Sequence, residues 1–447
     1  MTKLKINNFK FISYSFDKKE YELFLNYGFD DKYKFTEKIK FHNVKRALSE
    51  EDLSVINQIA FFMHIACGIS YYKAFVPNKM IIETGELSKS QADFFYEFYH
   101  KGLGEFAWRN NVNLRDVINF EYSNNPSYNQ ASEIKLTDKF AVPIGGGKDS
   151  TVSLELLKEK GEDIIAIAQG RPRPIKDTIA MSGIEDIEFT RTICPNLIAL
   201  NKEGGVLNGH VPITGIYAFA LALCGVLYDY DKVAMSNERS ANVGNLVRED
   251  GFEVNHQWSK SLEFETMFNK FFKANLLKNF EYFSILRPLS ELDIASRFAK
   301  LEKYYDVFTS CNKAFRIDKS KRLDRWCGQC DKCRFVFLAL SPFMEKSALV
   351  KAVGKNPLDE KEQLLGFEEL LGLNNHKPFE CVGEIEECVV AFTLIAEKSE
   401  WKNDYVIKEL ASKINDKYSK SEIEAWKKEI FTKSEDHIIP KQYESYV

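Results

Sequence analysis

The first part of the chain alternates between apolar and polar residues at every second position. The apolar positions fall into three short runs: Phe9 and Phe11, then Tyr21, Leu23, Leu25 and Tyr27, then Phe35, Ile39 and Phe41. A period of two residues predicts short strands of an antiparallel sheet. Two helices are predicted next, because Ser49-x-x-Asp52 and Ser88-x-x-Gln91 have the spacing of helix N-terminal caps.

The middle of the chain changes to continuous apolar runs separated by helical segments. Strands are predicted at residues 140–144, 164–168, 187–190 and 233–235, and helices at 151–160 and 213–227. This alternation predicts an α/β fold with a central parallel sheet and helices on both faces. Helical patterns return toward the carboxyl end. We therefore expect an N-terminal α+β domain at 1–133, a central α/β domain at 134–345 and a helical C-terminal domain at 346–447.

A glycine-rich turn joins the predicted strand at 140–144 to the helix that follows it. Its residues are Gly145, Gly146, Gly147, Lys148, Asp149, Ser150 and Thr151. Glycines let the backbone approach a phosphate, and the first N–H groups of the helix point at it. The alternative is an ordinary glycine turn capped by Asp149.

Two common phosphate-loop patterns are excluded by this turn. Walker A fails because Asp149 follows Lys148, and the dinucleotide pattern fails because Ser150 replaces its last glycine. The remaining pattern resembles the Ser-Gly-Gly-x-Asp-Ser loop of the ATP-pyrophosphatase (PP-loop) superfamily, with Gly145 in place of the first serine. The resemblance implies a central sheet of the PP-loop (HUP-like) type. It also implies cleavage of ATP to AMP and pyrophosphate, with AMP transferred to a carboxyl or carbonyl oxygen.

A cysteine cluster is the second strong motif. Cys327, Cys330 and Cys333 have Cys-x-x-Cys-x-x-Cys spacing, and Cys311 precedes them as a possible fourth ligand. Four thiolates suit a closed tetrahedral zinc site, whose role is structural because no position stays open for water. An iron–sulfur cluster and free loop cysteines are the alternatives.

Further polar residues follow strand ends or interrupt helices. Glu238 and Arg239 come after the strand at 233–235, where they could hold Mg²⁺ and an anion respectively. His256 lies in a polar run, and His376 and Cys381 lie in a break between two helices. These three side chains could carry a proton, although a surface loop and a helix corner are the plainer interpretations.

Composition indicates which partners and which cellular compartment to expect. The 447 residues carry a net charge of −4 without a long basic run, which argues against a nucleic-acid partner. No 18-residue apolar stretch or signal-peptide core is apparent, so neither a membrane span nor secretion is expected. Nine irregularly spaced cysteines indicate a reducing cytoplasm.

The order of these motifs resembles the bacterial UDP-N-acetyl-muramoyl-L-alanyl-L-glutamate epimerases over most of the chain. The resemblance implies a cytoplasmic step of peptidoglycan precursor synthesis, and so a part in cell wall biogenesis, cell shape, the cell cycle and cell division. It implies a UDP-muramoyl-dipeptide substrate, with ATP, Mg²⁺ and a structural Zn²⁺. The glutamate would be activated as an acyl adenylate, inverted at its α-carbon and released with AMP and pyrophosphate.

The same resemblance suggests roles for individual residues. The turn at 145–151 would cradle pyrophosphate, Asp149 and Glu238 would help place Mg²⁺, and Arg239 would clamp an anion. The base would come from His256, His376 or Cys381, with Lys148 as a further candidate catalytic residue. The choice of base, the carboxyl that is adenylated and the oligomeric state stay open at this point.

Other functions use similar motifs. A 7-cyano-7-deazaguanine synthase-like enzyme also pairs a PP-loop with such a cysteine cluster, but needs neither the N-terminal sheet nor the C-terminal helices. A tRNA-thiolation PP-loop enzyme would call for a basic face, which the net charge of −4 disfavours. A zinc-containing module that binds nucleotide without turnover is the non-enzymatic alternative.

Overall fold

The computed structural model describes residues 6–316, 318–374 and 378–447. Within these residues the strands are β1 (Asn8–Asp17), β2 (Glu22–Phe29), β3 (Tyr33–His42), β4 (Lys79–Ile82), β5 (Phe140–Pro143), β6 (Ile164–Gln169), β7 (Asp186–Thr192), β8 (Lys232–Met235), β9 (Leu246–Val247), β10 (Glu253–Val254) and β11 (Glu281–Ser284). Each strand predicted from the sequence is therefore present, with small shifts at its ends.

Fifteen α-helices lie among the remaining described residues. They are α1 (Glu50–Tyr72), α2 (Lys89–Gly102), α3 (Gly104–Asn110), α4 (Lys148–Glu159), α5 (Arg173–Ser182), α6 (Pro195–Glu203), α7 (Ile213–Tyr228), α8 (Leu262–Asn275), α9 (Glu291–Phe298), α10 (Asp331–Leu340), α11 (Lys346–Val353), α12 (Leu364–Leu370), α13 (Ile385–Ala396), α14 (Tyr405–Lys417) and α15 (Lys420–Ile430). Ser49 and Ser88 form capping boxes at α1 and α2, which confirms both predicted caps.

One mixed sheet of nine strands takes the place of the two sheets that the sequence predicted, an antiparallel N-terminal sheet and a parallel central sheet. Its order is β11-β8-β5-β6-β7-β3-β2-β1-β4. Strand β5 pairs with β8 in parallel, as expected, but β3 pairs with β7 antiparallel, with Phe41 opposite Phe189. The antiparallel N-terminal strands therefore extend the central sheet. Alternating patterns identify strands and their buried faces, but they do not show which strand edges pair.

The chain divides into two compact units whose segments interleave. Unit 1 contains residues 1–141, 187–233 and 246–282, and unit 2 contains residues 142–186, 234–245 and 283–447. Strands β5, β7, β8 and β11 begin in one unit and end in the other. The domain boundaries expected near residues 133 and 345 stay a prediction.

Helix α1 forms the centre of unit 1. It is the one helix among the described residues that is long and apolar enough to cross a membrane by length and composition, so the expectation that no such stretch exists was wrong. In this structure 83% of that apolar segment is buried inside the protein. Polar groups within it find partners there: Gln58 Nε2 donates to the Asn275 carbonyl at 2.6 Å, and the His64 ring contacts the Asn26 carbonyl at 3.0 Å.

Candidate functional site

The glycine-rich turn lies in unit 2, between β5 and α4. Gly146 has a φ of +77°, and a Cβ there would lie 3.0 Å from the Pro174 carbonyl carbon, so only glycine fits. Gly147 is the N-cap of α4 and has no side chain to cap it, so the first N–H groups of the helix point toward the turn without an acceptor inside the helix. The turn thus has the backbone arrangement of an anion site.

Hydroxyl groups of the first helical turn hold the loop in place. The Gly145 N–H donates to Ser150 Oγ at 3.3 Å, and Thr151 Oγ1 donates to the Gly147 carbonyl at 2.9 Å. A Cβ on Gly145 would meet no atom within 4 Å. The position where the superfamily pattern has serine could therefore hold one without strain.

Lys148 is buried beside two carboxylates. Its Nζ donates to Asp149 Oδ1 and Glu291 Oε2. Burial alone would lower the pKa of the ammonium, but the two carboxylates outweigh it and raise the pKa above its usual value. Lys148 therefore stays charged at neutral pH, which favours an electrostatic role over a role as a base.

The Glu291 carboxyl group, which pairs with Lys148, also lies near the carboxyl groups of Asp149 and Glu238. Burial raises the pKa of Glu291 and Lys148 opposes that rise, while Asp149 and Glu238 repel its charge. Carboxylate oxygens are the ligands that Mg²⁺ prefers, so each of these groups could contribute to binding that ion.

Glu387 connects the starts of two helices at the same site. Its Oε1 accepts the Glu291 N–H at 2.7 Å, and its Oε2 accepts the Glu384 N–H at 2.9 Å. Burial and the charge of Glu291 raise the pKa of Glu387 to about 8, although both N–H donors favour the carboxylate. The beginning of α13 is thereby fixed against the beginning of α9.

Strand β8 ends beside these groups. Glu238 is buried, and its carbonyl accepts from Arg287 Nη1 at 2.8 Å. Ser236 Oγ is buried and has no hydrogen-bond partner within the described part of the chain, so it could serve a ligand. Arg239 Nη1 donates to the Thr432 carbonyl at 3.2 Å, past the end of α15. Its predicted role as an anion clamp stays a prediction.

The four cysteines of the second motif converge, also in unit 2. Their sulfur atoms all lie within 4.8 Å of one another. Three pairs are shorter, namely Cys311 with Cys330 at 4.0 Å, Cys327 with Cys333 at 3.7 Å and Cys330 with Cys333 at 3.4 Å. A tetrahedron with zinc–sulfur bonds of about 2.3 Å has sulfur–sulfur edges of about 3.8 Å. The cluster could therefore hold a metal such as zinc.

Further groups around the cluster favour thiolate ligands. The Cys327 N–H donates to Cys311 Sγ at 3.3 Å, and the Gln329 N–H donates to Cys327 Sγ at 3.4 Å. Such hydrogen bonds to sulfur orient the ligands of metal sites.

Residues next to the cysteines bind both the glycine turn and the break before α13. On one side, the Thr309 N–H donates to the Gly146 carbonyl at 2.7 Å. On the other, Asn312 Nδ2 donates to Glu380 Oε2 at 2.6 Å, and Lys332 Nζ donates to the Cys381 carbonyl. The cysteine cluster therefore connects the turn to the segment that carries Cys381.

The structure describes two of the three candidate proton carriers. Cys381 is partly exposed beside Lys332, whereas His376 lies outside the described residues. His256 lies in unit 1, where its Nδ1 contacts Glu105 Oε2 at 2.5 Å and its ring centroid is 4.5 Å from that of His210. The contacts of the described residues do not show which side chain acts as a base, so all three assignments stay predictions.

Sequence reasoning missed the buried carboxyl groups Glu105, Glu291 and Glu387. The one signal was local: Glu387 stands at the third position of its helix, three residues after Glu384, which is capping-box spacing. Their contacts with distant residues leave no pattern in a single sequence.

These features define an α/β protein with a candidate phosphate site, a buried charge cluster and a four-cysteine cluster in one unit. Comparison with known proteins identifies the family. Models of the MurL N-terminal domain and the MurL C-terminal domain match residues 1–285 and 307–425.

Three curated relatives, each named UDP-N-acetyl-alpha-D-muramoyl-L-alanyl-L-glutamate epimerase, match nearly the whole chain. The relative from Salinispora tropica is 39% identical, covering 91% of this chain and 88% of its own. That from Xanthomonas oryzae pv. oryzae is 38% identical, covering 91% and 89%, and that from a Micromonospora species is 37% identical, covering 98% and 97%. The chain belongs to the MurL family, and the resemblance inferred from its motifs is confirmed.

Proposed function

We propose that this chain inverts the terminal L-glutamate of UDP-N-acetylmuramoyl-L-alanyl-L-glutamate to D-glutamate at the expense of ATP. In the proposed cycle a glutamate carboxylate oxygen attacks the α-phosphorus of ATP, and pyrophosphate leaves. The α-proton is removed from one face and a proton is returned to the other. Water then cleaves the acyl adenylate and releases AMP. The step would belong to peptidoglycan precursor synthesis in the cytoplasm.

Activation explains why ATP is needed for an inversion. An α-proton beside a carboxylate is barely acidic, because the carbanion would lie next to an existing negative charge. The acyl adenylate removes that charge and makes the carbonyl withdraw electrons, so a side-chain base can take the proton. Hydrolysis of the adenylate makes the cycle irreversible.

The turn at 145–151 supplies the groups that ATP cleavage needs. Backbone N–H groups at the start of α4 and the Lys148 ammonium would hold the leaving pyrophosphate. Asp149 and Glu238, with Glu291 nearby, offer carboxylate oxygens for Mg²⁺, which would neutralise phosphate charge when bound. Ser236 Oγ offers a further polar contact to a ligand.

The observation that carries this proposal is a set of three contacts made by the cysteine-cluster segment. Thr309 holds the turn, while Asn312 and Lys332 hold the segment with Cys381. The activating loop and a candidate base thus contact the same segment. For that reason we propose Cys381 as one of the proton carriers, with His376 and His256 as the other candidates.

The first experiment follows pyrophosphate release from ATP. Release stimulated by the glutamyl muramoyl-dipeptide nucleotide supports the proposal, and Asp149→Ala or Ser150→Ala should abolish it. Release that instead needs a deazaguanine carboxylate and ammonia would contradict the proposal. No release with any substrate would favour a module that only binds nucleotide.

The second experiment separates activation from inversion. Cys381→Ala should lose epimerisation while keeping substrate-dependent pyrophosphate release, because the thiol acts after adenylation. Cys388→Ala, which changes a buried cysteine in α13, is the matched control and should keep both activities. Full epimerisation by Cys381→Ala would exclude Cys381 as a proton carrier.

A further inference from the structure

A second convergence of metal-binding side chains lies in unit 1, formed by Glu105 of α3, His210 before α7 and His256. We propose that these three residues bind one divalent transition-metal ion such as Zn²⁺ or Co²⁺. This site is separate from the cysteine cluster and independent of the nucleotide chemistry proposed above.

The geometry of the three ligands carries the proposal. The Nδ1 atoms of both histidines face the same carboxylate oxygen, Glu105 Oε2, at 2.5 Å for His256 and 3.7 Å for His210. All three candidate ligand atoms lie within 4.8 Å of one another. Three ligand atoms this close to one another can reach one cation after small side-chain shifts.

Solvent access agrees with that arrangement. The histidine side chains are 18–21% exposed, so an ion can reach them from solvent.

Surrounding contacts hold the ligands in position. Arg109 Nε donates to the other Glu105 oxygen, Oε1, at 2.5 Å. Asn110 Nδ2 donates to the Asn208 carbonyl at 3.1 Å, and Lys73 Nζ donates to Asn208 Oδ1, which fixes the loop that carries His210. Such partners orient the first ligands in metal sites.

The donor set indicates the kind of ion. Two imidazoles and one carboxylate favour borderline transition metals over Mg²⁺ or Ca²⁺, and three protein ligands leave positions for water or substrate. Bonds of about 2.0–2.1 Å to one ion would place the ligand atoms about 3.3 Å apart. A metal-bound His256 could not accept the α-proton, which would leave Cys381 and His376 as candidates.

A Co²⁺ titration tests the site on the full-length protein. The protein is stripped with a chelator, given one equivalent of Zn²⁺ under reducing conditions to fill the cysteine cluster, and titrated with Co²⁺. We expect one further Co²⁺ per chain, with visible d–d absorption and no thiolate-to-cobalt charge-transfer band.

Variants assign the signal to these residues. His210→Ala and His256→Ala should each weaken Co²⁺ binding at least about tenfold. The matched control is His42→Ala, because His42 lies on β3 and contacts Thr190 Oγ1 at 3.0 Å. This variant should bind Co²⁺ as the parent does. The proposal is overturned if the parent protein binds no Co²⁺ beyond the filled cysteine cluster. It is equally overturned if both histidine variants, folded by circular dichroism, bind like the parent.

Discussion

Lys148 is the residue whose removal most sharply tests the buried charge cluster. In Lys148→Met the side-chain volume is largely kept, but the partner of Glu291 is lost. The side chains of Lys148 and Glu291 are 1% and 2% exposed, so solvent does not compensate for the missing ammonium. Asp149 is 25% exposed and can turn to water, so the cost falls mainly on Glu291.

The magnitude follows from the proton that Glu291 must then take up. An unfolded chain has this carboxyl at a pKa of 4.5, so holding it protonated at pH 7 costs about 3 kcal/mol. We expect Lys148→Met to lose about 3 kcal/mol of unfolding free energy at pH 7, the lower end of the range for a broken buried ion pair. Because the folded pKa is raised, the loss should shrink to under about 1 kcal/mol near pH 5.

Urea unfolding at pH 5 and pH 7 measures both quantities. The double variant Lys148→Met with Glu291→Gln should recover most of the stability and lose the pH dependence, yet stay inactive in pyrophosphate release. Lys158→Met, an exposed position of the same helix, is the control and should change stability by less than about 1 kcal/mol. The reasoning is refuted if Lys148→Met is within 1 kcal/mol of the parent at pH 7, or if the second substitution restores nothing.

Three further predictions use other parts of the molecule. Gly145→Ser should be tolerated with pyrophosphate release retained, whereas Gly146→Ala should lose that activity and at least about 1 kcal/mol of stability, because its backbone is left-handed and its Cβ would meet Pro174. Burial lowers the pKa of His64 to about 4, so the unfolded chain takes up a proton at this histidine before the folded protein does. The unfolding free energy of the parent, measured relative to that of His64→Leu, should therefore fall by about 3 kcal/mol between pH 6.5 and pH 4. Cys330→Ala should lower metal content by one ion per chain, measured by elemental analysis, and lower the thermal midpoint; unchanged content would contradict a metal at that cluster.

Local patterns predicted the parts of the molecule that depend on neighbours in sequence. Period-two alternation marked β1 to β3, and a strand, three glycines and a helix start marked the phosphate turn. Cysteine spacing marked the cluster because three of its ligands lie within seven residues. Serine caps were visible because their partners are three residues away.

The remaining features depend on contacts between distant residues. Glu291 meets Lys148 across 143 positions, and His256 meets Glu105 across 151. The antiparallel pairing of β3 with β7 likewise joins strands that are far apart in the sequence. Arg239 stands in a polar run that suggested an anion site, but its guanidinium contacts backbone carbonyls near the end of α15. No spacing rule distinguishes these outcomes from their alternatives.

The central claim is that ATP activates a glutamate so that its α-proton can be exchanged. The direct measurement incubates the protein with the L-glutamyl muramoyl-dipeptide nucleotide, ATP and Mg²⁺ in deuterated water, and follows the α-position by mass spectrometry with chiral analysis. We predict D-glutamyl product with one deuterium at the α-carbon, and one AMP and one pyrophosphate formed per product. Inversion without ATP, or inverted product that keeps its original α-hydrogen, would contradict the account.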